Sequence, residues 1–423
     1  MTPSTASSHW SPAAVHYECH GCGDCCQFPS PIFVSEAEAQ SITALPWAGD
    51  SPLHGVQTVI PTRDAEKRPT HRLAKQAGSN RCIFLSQENR CRIHEEFGEQ
   101  WKPAACRAFP RVAVPLAGEH FQHYSLACRC VRLRTFEEWS TPLTTAESTP
   151  FLGHETELVL ASGARISAMA FRRWVAPFLN FFRSPMLTPV ESVHGAYRFM
   201  ELTLSGNPNL PSAEVLEQAV AASLPAKVKT MEFPRRLDAS QRSLLFQVLF
   251  HALNPAPVDF HERSLTAQEA EKAERLQRGE AFRDEVGSPM IWGAPLNTTF
   301  AEVRRVACGM EEAQLRETFG VFLAVKLVGL RFHSDPRQHF TVSVHQLLLS
   351  CAMILWVAKA KAAEEGLSHF TLEHLDQGIR LIDSSLGTLP LTMLPRKVQE
   401  AWATLFHETT FASTAFAELL GDR

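Results

Sequence analysis

The chain lacks the features that direct a protein into or across a membrane. Residues 1–16 have neither a basic n-region nor an apolar h-region, so no secretory signal is expected there. The two most apolar runs, 321–330 and 347–358, fall short of the roughly 20 residues that cross a bilayer. Lys326 also interrupts the first of them. No membrane span is expected, and the expected compartment is the cytoplasm. Charge of one sign is missing too. A net charge of -4 gives no reason to expect nucleic acid or an anionic membrane as partner. The chain shows no internal repeat at solenoid periods. A hydrophobic content of 45% argues against disorder.

What the chain does have is cysteine. Nine of its 11 cysteines fall between Cys19 and Cys130. Four of them occupy the eight residues Cys19-His20-Gly21-Cys22-Gly23-Asp24-Cys25-Cys26. No ordinary apolar core asks for that arrangement. In a reducing compartment clustered thiols bind metal or do redox work more often than they form disulfides. Cys308 and Cys351 lie in apolar stretches and read as small buried residues.

The cysteines come in three blocks. The first is Cys19-x2-Cys22-x2-Cys25-Cys26, where two-residue spacing lets a tight turn aim successive sulfurs at one ion. Gly21 and Gly23 permit the backbone conformations such turns need. Adjacent Cys25 and Cys26 are expected to point apart, so one of them serves a second ion or none. The second block is Cys82-x8-Cys91-x2-His94, followed by Lys102-Pro103-x2-Cys106-Arg107-x-Phe109-Pro110. It adds three sulfurs and one imidazole, with Pro103 opening a short helix that carries Cys106. The third is Cys128-x-Cys130.

Thiolate is a soft donor suited to zinc or an iron–sulfur cluster. The candidate ligands are Cys19, Cys22, Cys25, Cys26, Cys82, Cys91, Cys106, Cys128, Cys130 and His94. Nine thiolates exceed the four that one tetrahedral zinc takes, so either two centres exist or some cysteines are spectators. Residues 81–134 hold nine Lys or Arg against five Glu, a balance that suits an anionic centre. Arg92, Arg107 and Arg129 stand beside ligand candidates and are expected to donate to them or to lie on a solvated surface.

At about 100–200 residues per domain, 423 residues suggest two or three domains. Residues 1–16 read as a flexible N-terminus, 17–145 as an irregular cysteine-rich metal-binding domain, and 150–423 as an all-helical domain. The fold class is therefore mainly α. Ser35 followed by acidic residues marks a helix start. Helices are expected over 168–182, 243–253, 266–280, 311–332, 344–365, 371–384 and 395–420. The strongly charged 266–280 segment reads as solvated. Asp376, Arg380 and Asp383 share one helix face and read as an exposed ion-pair stripe in preference to a polar site. No nucleophile–base or paired-carboxylate set can be assigned by order alone, so no catalytic residue is named.

Taken in order, C-x2-C-x2-CC, C-x8-C-x2-H and KP-x2-CR-x-FP resemble the YkgJ-type cysteine-cluster family of zinc- or iron-chelating domains, over residues 17–135. The layout of a cysteine cluster followed by a helical region is similar to its flagellin lysine-N-methylase branch. That resemblance implies methyl transfer from S-adenosylmethionine to lysines of a protein substrate such as flagellin. The chain has no glycine-rich strand–loop–helix of Rossmann methyltransferases and no C-x3-C-x2-C run of radical enzymes. Three classes of function therefore stand side by side. They are a protein-lysine methyltransferase, an iron–sulfur redox or sensor protein, and a structural-zinc protein that binds a partner.

Overall fold

The computed structural model describes residues 21–27, 31–63, 68–116, 119–132, 157–160, 162–204, 218–221, 225–254, 264–328, 339–385 and 410–421; at 112–123, 328 and 384–385 only the backbone is described. Cys19, residues 1–16, the 140–150 linker and most of the expected final helix lie outside these residues.

The described part is mainly α, with an irregular cysteine-rich region ahead of a helical one, as the sequence suggests. In the first region Ser35 caps helix α1 (Glu36–Thr43) through a capping box with Glu38. Strands β1 (Phe33–Val34), β2 (Val59–Arg63) and β3 (Pro69–Leu73) form an antiparallel sheet in the order β1-β3-β2. A small core of Val34, Ile42, Leu53, Leu73, Phe84 and Ile93 gathers beneath them, and Cys82 is buried within it. Trp47 closes one side, 5.9 Å from the Phe84 ring and 4.8 Å from Phe97. Two short helices follow, α2 (Arg92–Phe97) and α3 (Ala104–Ala108). A hairpin of β4 (Arg111–Leu116) and β5 (Glu119–Tyr124) then leads to the single turn α4 (Arg129–Arg132).

The packing boundary falls inside the cysteine motifs. Tyr124, Leu126, Cys128 and Val131 pack into the large helical core and not into the small one. The third cysteine block thus belongs physically to the helical part.

That larger core is built from α5 (Ala168–Arg183), α6 (Pro189–Leu204), α7 (Ala239–Leu253), α8 (Leu265–Arg283), α9 (Phe300–Arg305), α10 (Glu312–Val328), α11 (Phe340–Glu364), α12 (Leu372–Ser385) and α13 (Phe411–Leu420). In α5, Phe171, Trp174, Phe178 and Phe182 recur at helical spacing and face inward. Trp174 Nε1 donates to Thr203 Oγ1 at 2.8 Å, so the buried indole is satisfied and α5 is pinned to α6. The charged α8 buries only Phe282, which fits the solvated helix expected there. Helix α11 extends well beyond the apolar run seen in the sequence. By length and composition it suffices to cross a membrane, yet 89% of its most apolar window is buried inside the protein. It is the central core helix, covered by α12, α13 and α9.

Gly378 shows how close the α11–α12 crossing is. A Cβ at this position would lie 2.7 Å from the Ile354 carbonyl oxygen, a backbone atom that cannot swing aside. Gly378→Ala is expected to destabilise the protein by about 1–3 kcal/mol, read as a lowered denaturation midpoint at constant m.

The expected exposed stripe on α12 is corrected by the structure. Asp376 is only 4% exposed and pairs with the equally buried Arg132. Asp383 pairs at 2.6 Å with Lys326, itself 5% exposed. Spacing on a helix shows which residues share a face. It does not show that another part of the chain covers that face with arginine and lysine.

Candidate metal centre

Each cysteine of the second block is placed by a different local device. Residues 75–91 form a tight double turn, with bridges from Lys75 to Cys82 and from Leu85 to Cys91. Gln76 Nε2 ties it internally, donating to the carbonyls of Cys82 at 3.1 Å and Leu85 at 2.7 Å. The first block docks on this turn, because the Cys82 amide donates to the Cys26 carbonyl at 2.7 Å. Gly23, at φ +76°, lies so close to Asn89 that a Cβ would stand 2.8 Å from Asn89 Oδ1. Glycine is needed there for conformation and for space. Cys91 stands at the N-terminus of α2, without a side-chain capping hydrogen bond. Cys106 rides on α3, whose first amide, that of Ala104, donates to Glu38 Oε1 at 2.7 Å. Burial works against the Glu38 charge, but this amide and the Ser35 amide and hydroxyl outweigh it and hold the carboxyl below its usual range. Pro103 does precede a short helix carrying Cys106, as expected.

These devices bring Cys26, Cys82, Cys91 and Cys106 within electrostatic reach of one another. Burial pushes Cys82 up to about 12, and charge on Cys26 and Cys91 adds to it, with the Phe84 amide and Lys75 opposing. Cys91 is raised by burial and by Cys26, against the amides of His94 and Ile93 and the charge of Lys102. Burial raises Cys106 further, reinforced by Cys82, Cys26 and Cys91. Cys26 goes the other way, down to about 7. The hydrogen bond with Cys25 is the largest cause, and Lys102, Lys75 and Arg81 help against burial. Lys75 is itself lowered by burial, while Cys82, Cys26 and Cys106 pull it back up.

Cys82, Cys91 and Cys106 resist ionisation through burial and through the charge of their neighbours, and Cys26 acts on all three, so the four share one electrostatic site. Its donor chemistry fits a soft cation such as zinc or iron, whose positive charge reverses every one of those repulsions. As they stand, no three His, Cys, Asp or Glu side chains among the described residues are close enough to grip an ion.

Of the remaining sequence candidates, Cys25 adjoins the coupled set. Cys22 and Cys25 are half-buried on the first loop, and the sulfurs of Cys25 and Cys26 stand 3.9 Å apart instead of pointing away from each other. Cys128 is buried and Cys130 partly buried against the helical core. His94 has an exposed side chain, and its amide is what acts on Cys91. Of the arginines expected to donate to the ligands, Arg107 instead donates to the carbonyls of Gln100 and Lys102, and Arg92 pairs with Glu96 at 3.9 Å. Arg129 reaches Glu373 at 2.5 Å. The cations that do act on the thiols are Lys75, Lys102 and Arg81. Lys75 and Arg81 border the second block in sequence, but nothing in their spacing marks them.

Residues 18–130 match the CxxCxxCC family model. Its description reads "Putative zinc- or iron-chelating domain". The CxxCxxCC match contains all four coupled thiols and the third block as well. No curated protein and no solved structure matches the chain.

The depressed Cys26 has a direct chemical consequence. Only thiolate is alkylated, so a thiol ionising near 7 reacts at neutral pH where one at the ordinary 9.0 is nearly silent. In metal-free protein, iodoacetamide is expected to modify Cys26 before Cys82, Cys91 and Cys106. Its rate should rise with pH through an inflection near 7. Cys25→Ala should move that inflection upward. Peptide mass mapping after timed quenching measures both.

Proposed function

We propose that this protein binds one zinc or iron centre through Cys26, Cys82, Cys91 and Cys106. The observation that carries the reading is that the fold brings four thiols from three separate segments within electrostatic reach, with the first block docked on the second through the Cys82 amide and α3 held by Glu38. The bound cation supplies the positive charge that stabilises four adjacent thiolates. The chain supplies the rest. Lys75 and Lys102 offset the excess negative charge, the Phe84, Ile93 and His94 amides favour thiolate on Cys82 and Cys91, and Glu38 fixes the helix that presents Cys106.

Proton release tests this assignment. At pH 7 Cys26 is about half ionised, whereas Cys82, Cys91 and Cys106 are protonated. Binding of one Zn²⁺ should therefore release about 3.5 protons at this pH. Titration calorimetry in buffers of different ionisation enthalpy counts them. A count near 2 would mean that two of the four thiols are not ligands. Elemental analysis and an absorption spectrum of anaerobically purified protein separate the two metals. Broad absorption near 400 nm with iron favours a redox cluster, and colourless protein with stoichiometric zinc favours a structural site.

The finer reading is methyl transfer from S-adenosylmethionine to a lysine of a protein such as flagellin, in the cytoplasm. It is supported by the resemblance of the three cysteine blocks and of the layout to the flagellin lysine-N-methylase branch. In it the helical part would hold donor and protein substrate, and the attacking lysine would have to be neutral. Calorimetry with S-adenosylmethionine tests it, and no heat at high micromolar donor would remove it.

A further inference from the structure

We infer that the helical part positions the metal-binding loop through a buried ionic latch made by Asp24, Arg132 and Asp376. The inference deepens the metal reading above and rests on it.

Asp24 sits inside the first cysteine block, between Cys22 and Cys25. Its turn, Asp24–Gln27, buries no residue fully, and Cys26 is the side chain by which it packs against the small core. The hydrogen bond from the Cys82 amide to the Cys26 carbonyl ties it to the second block, and ionic contacts tie it to the helical part. Asp24 Oδ2 accepts from Arg132 Nη2 at 2.9 Å. Arg132 is 3% exposed and uses all its donor nitrogens. Nε and Nη2 grip the two carboxylate oxygens of Asp376 at 2.5 and 3.0 Å, and Nη1 donates to the Leu126 carbonyl at 2.7 Å. The fork is therefore fixed from the helical side before Asp24 is added. Arg380, one turn beyond Asp376, adds a contact of Nη2 to the Asp24 carbonyl at 3.3 Å, and its Nη1 lies 3.6 Å from Oδ1. Its Nε is buried without a partner among the described residues, so this guanidinium retains donor capacity beside the loop.

A ligand that moves must be re-gathered each time an ion binds, and a ligand already held in place is not. Cys26 is two residues from Asp24. Restraining Asp24 restrains the one cysteine of the coupled set that lies on this loop. Asp376 reaches the first cysteine block through Arg132 and Asp24; its other ion-pair contact, with Arg129 at 4.0 Å, leads to the third block and not to the coupled set.

The test is zinc release from the zinc-loaded full-length chain into excess chromogenic chelator, beside the ligand-field spectrum of the cobalt(II) form. Asp24→Asn should release zinc at least tenfold faster at an unchanged stoichiometry. Asp376→Asn should do the same and perturb the cobalt spectrum. The double variant should be no faster than the faster single one, because both act through one path. If Asp376→Asn does not fold, Arg380→Gln serves. It removes only the contact to Asp24 from a partly exposed position and should speed release about threefold. Wild-type release from Asp24→Asn, Asp376→Asn and Arg380→Gln, with zinc lost from Cys82→Ser, would overturn the latch and leave the metal reading standing. Full zinc in Cys82→Ser would overturn the metal reading, and the latch with it.

Discussion

Cys82→Ser is expected to lose stoichiometric metal. Of the four coupled thiols, that of Cys82 belongs to a fully buried residue. It is buried in the small core, and its backbone receives the first block through the Cys26 carbonyl. Serine keeps the shape and removes the donor, because a hydroxyl does not ionise in this range and is a hard ligand where a soft one is needed. The loss is not confined to one bond in four. A structural thiolate zinc contributes on the order of 10–16 kcal/mol of apparent binding at neutral pH, and that free energy is also folding free energy. The described residues between 21 and 110 share one small apolar core, so the variant's cysteine region should become protease-sensitive while the helical core persists. Elemental analysis and limited proteolysis of variant and wild type, purified in parallel, read both effects. Full metal content in the variant would show that Cys82 is not a ligand.

Arg132→Met is expected to destabilise the whole chain by about 3–5 kcal/mol. The side chain is 1% exposed, and its carboxylate partners are 5% and 17% exposed, so water cannot replace the lost guanidinium. Asp376 would keep only the 4.0 Å contact with Arg129, and Asp24 the 3.6 Å contact with Arg380. The diagnostic control is the variant carrying Arg132→Met, Asp376→Leu and Asp24→Asn together. By removing every uncompensated charge it should recover part of the lost stability. Denaturant unfolding in the metal-free state isolates this effect from metal binding. If Arg132→Met unfolds within 1 kcal/mol of wild type, the network is not holding the two parts together.

The helices were legible in the sequence where a cap and a periodic apolar face coincide. Ser35 with Glu38, and the apolar spacing of 168–182 after Ser167, each specify a start and a buried side, and both helices begin there. The residue types of the candidate site were also legible, since nothing but sulfur chemistry explains four cysteines in eight residues. The partition among them was not. Which thiols meet depends on the Lys75–Cys82 and Leu85–Cys91 bridges and on the docking of α3 against Glu38, contacts that span up to 66 residues. The buried arginine was missed for the same reason. Arg132 reads as one more cation in a basic stretch, and Asp376 as one more acid on a helix. Only the fold places one against the other.

The ends of that pair lie 244 positions apart in the chain. A ribosome adds about 5–20 residues per second, so Asp376 emerges about 12–50 s after Arg132. Throughout that interval the nascent cysteines are already outside the tunnel while the carboxylate that orients Arg132 is still unmade. On the proposed latch, a cation captured during synthesis would meet an untethered loop and exchange fast. One captured after release would meet a loop held from both sides and exchange slowly. The order of synthesis would then give the protein an early period in which a wrong metal could still leave.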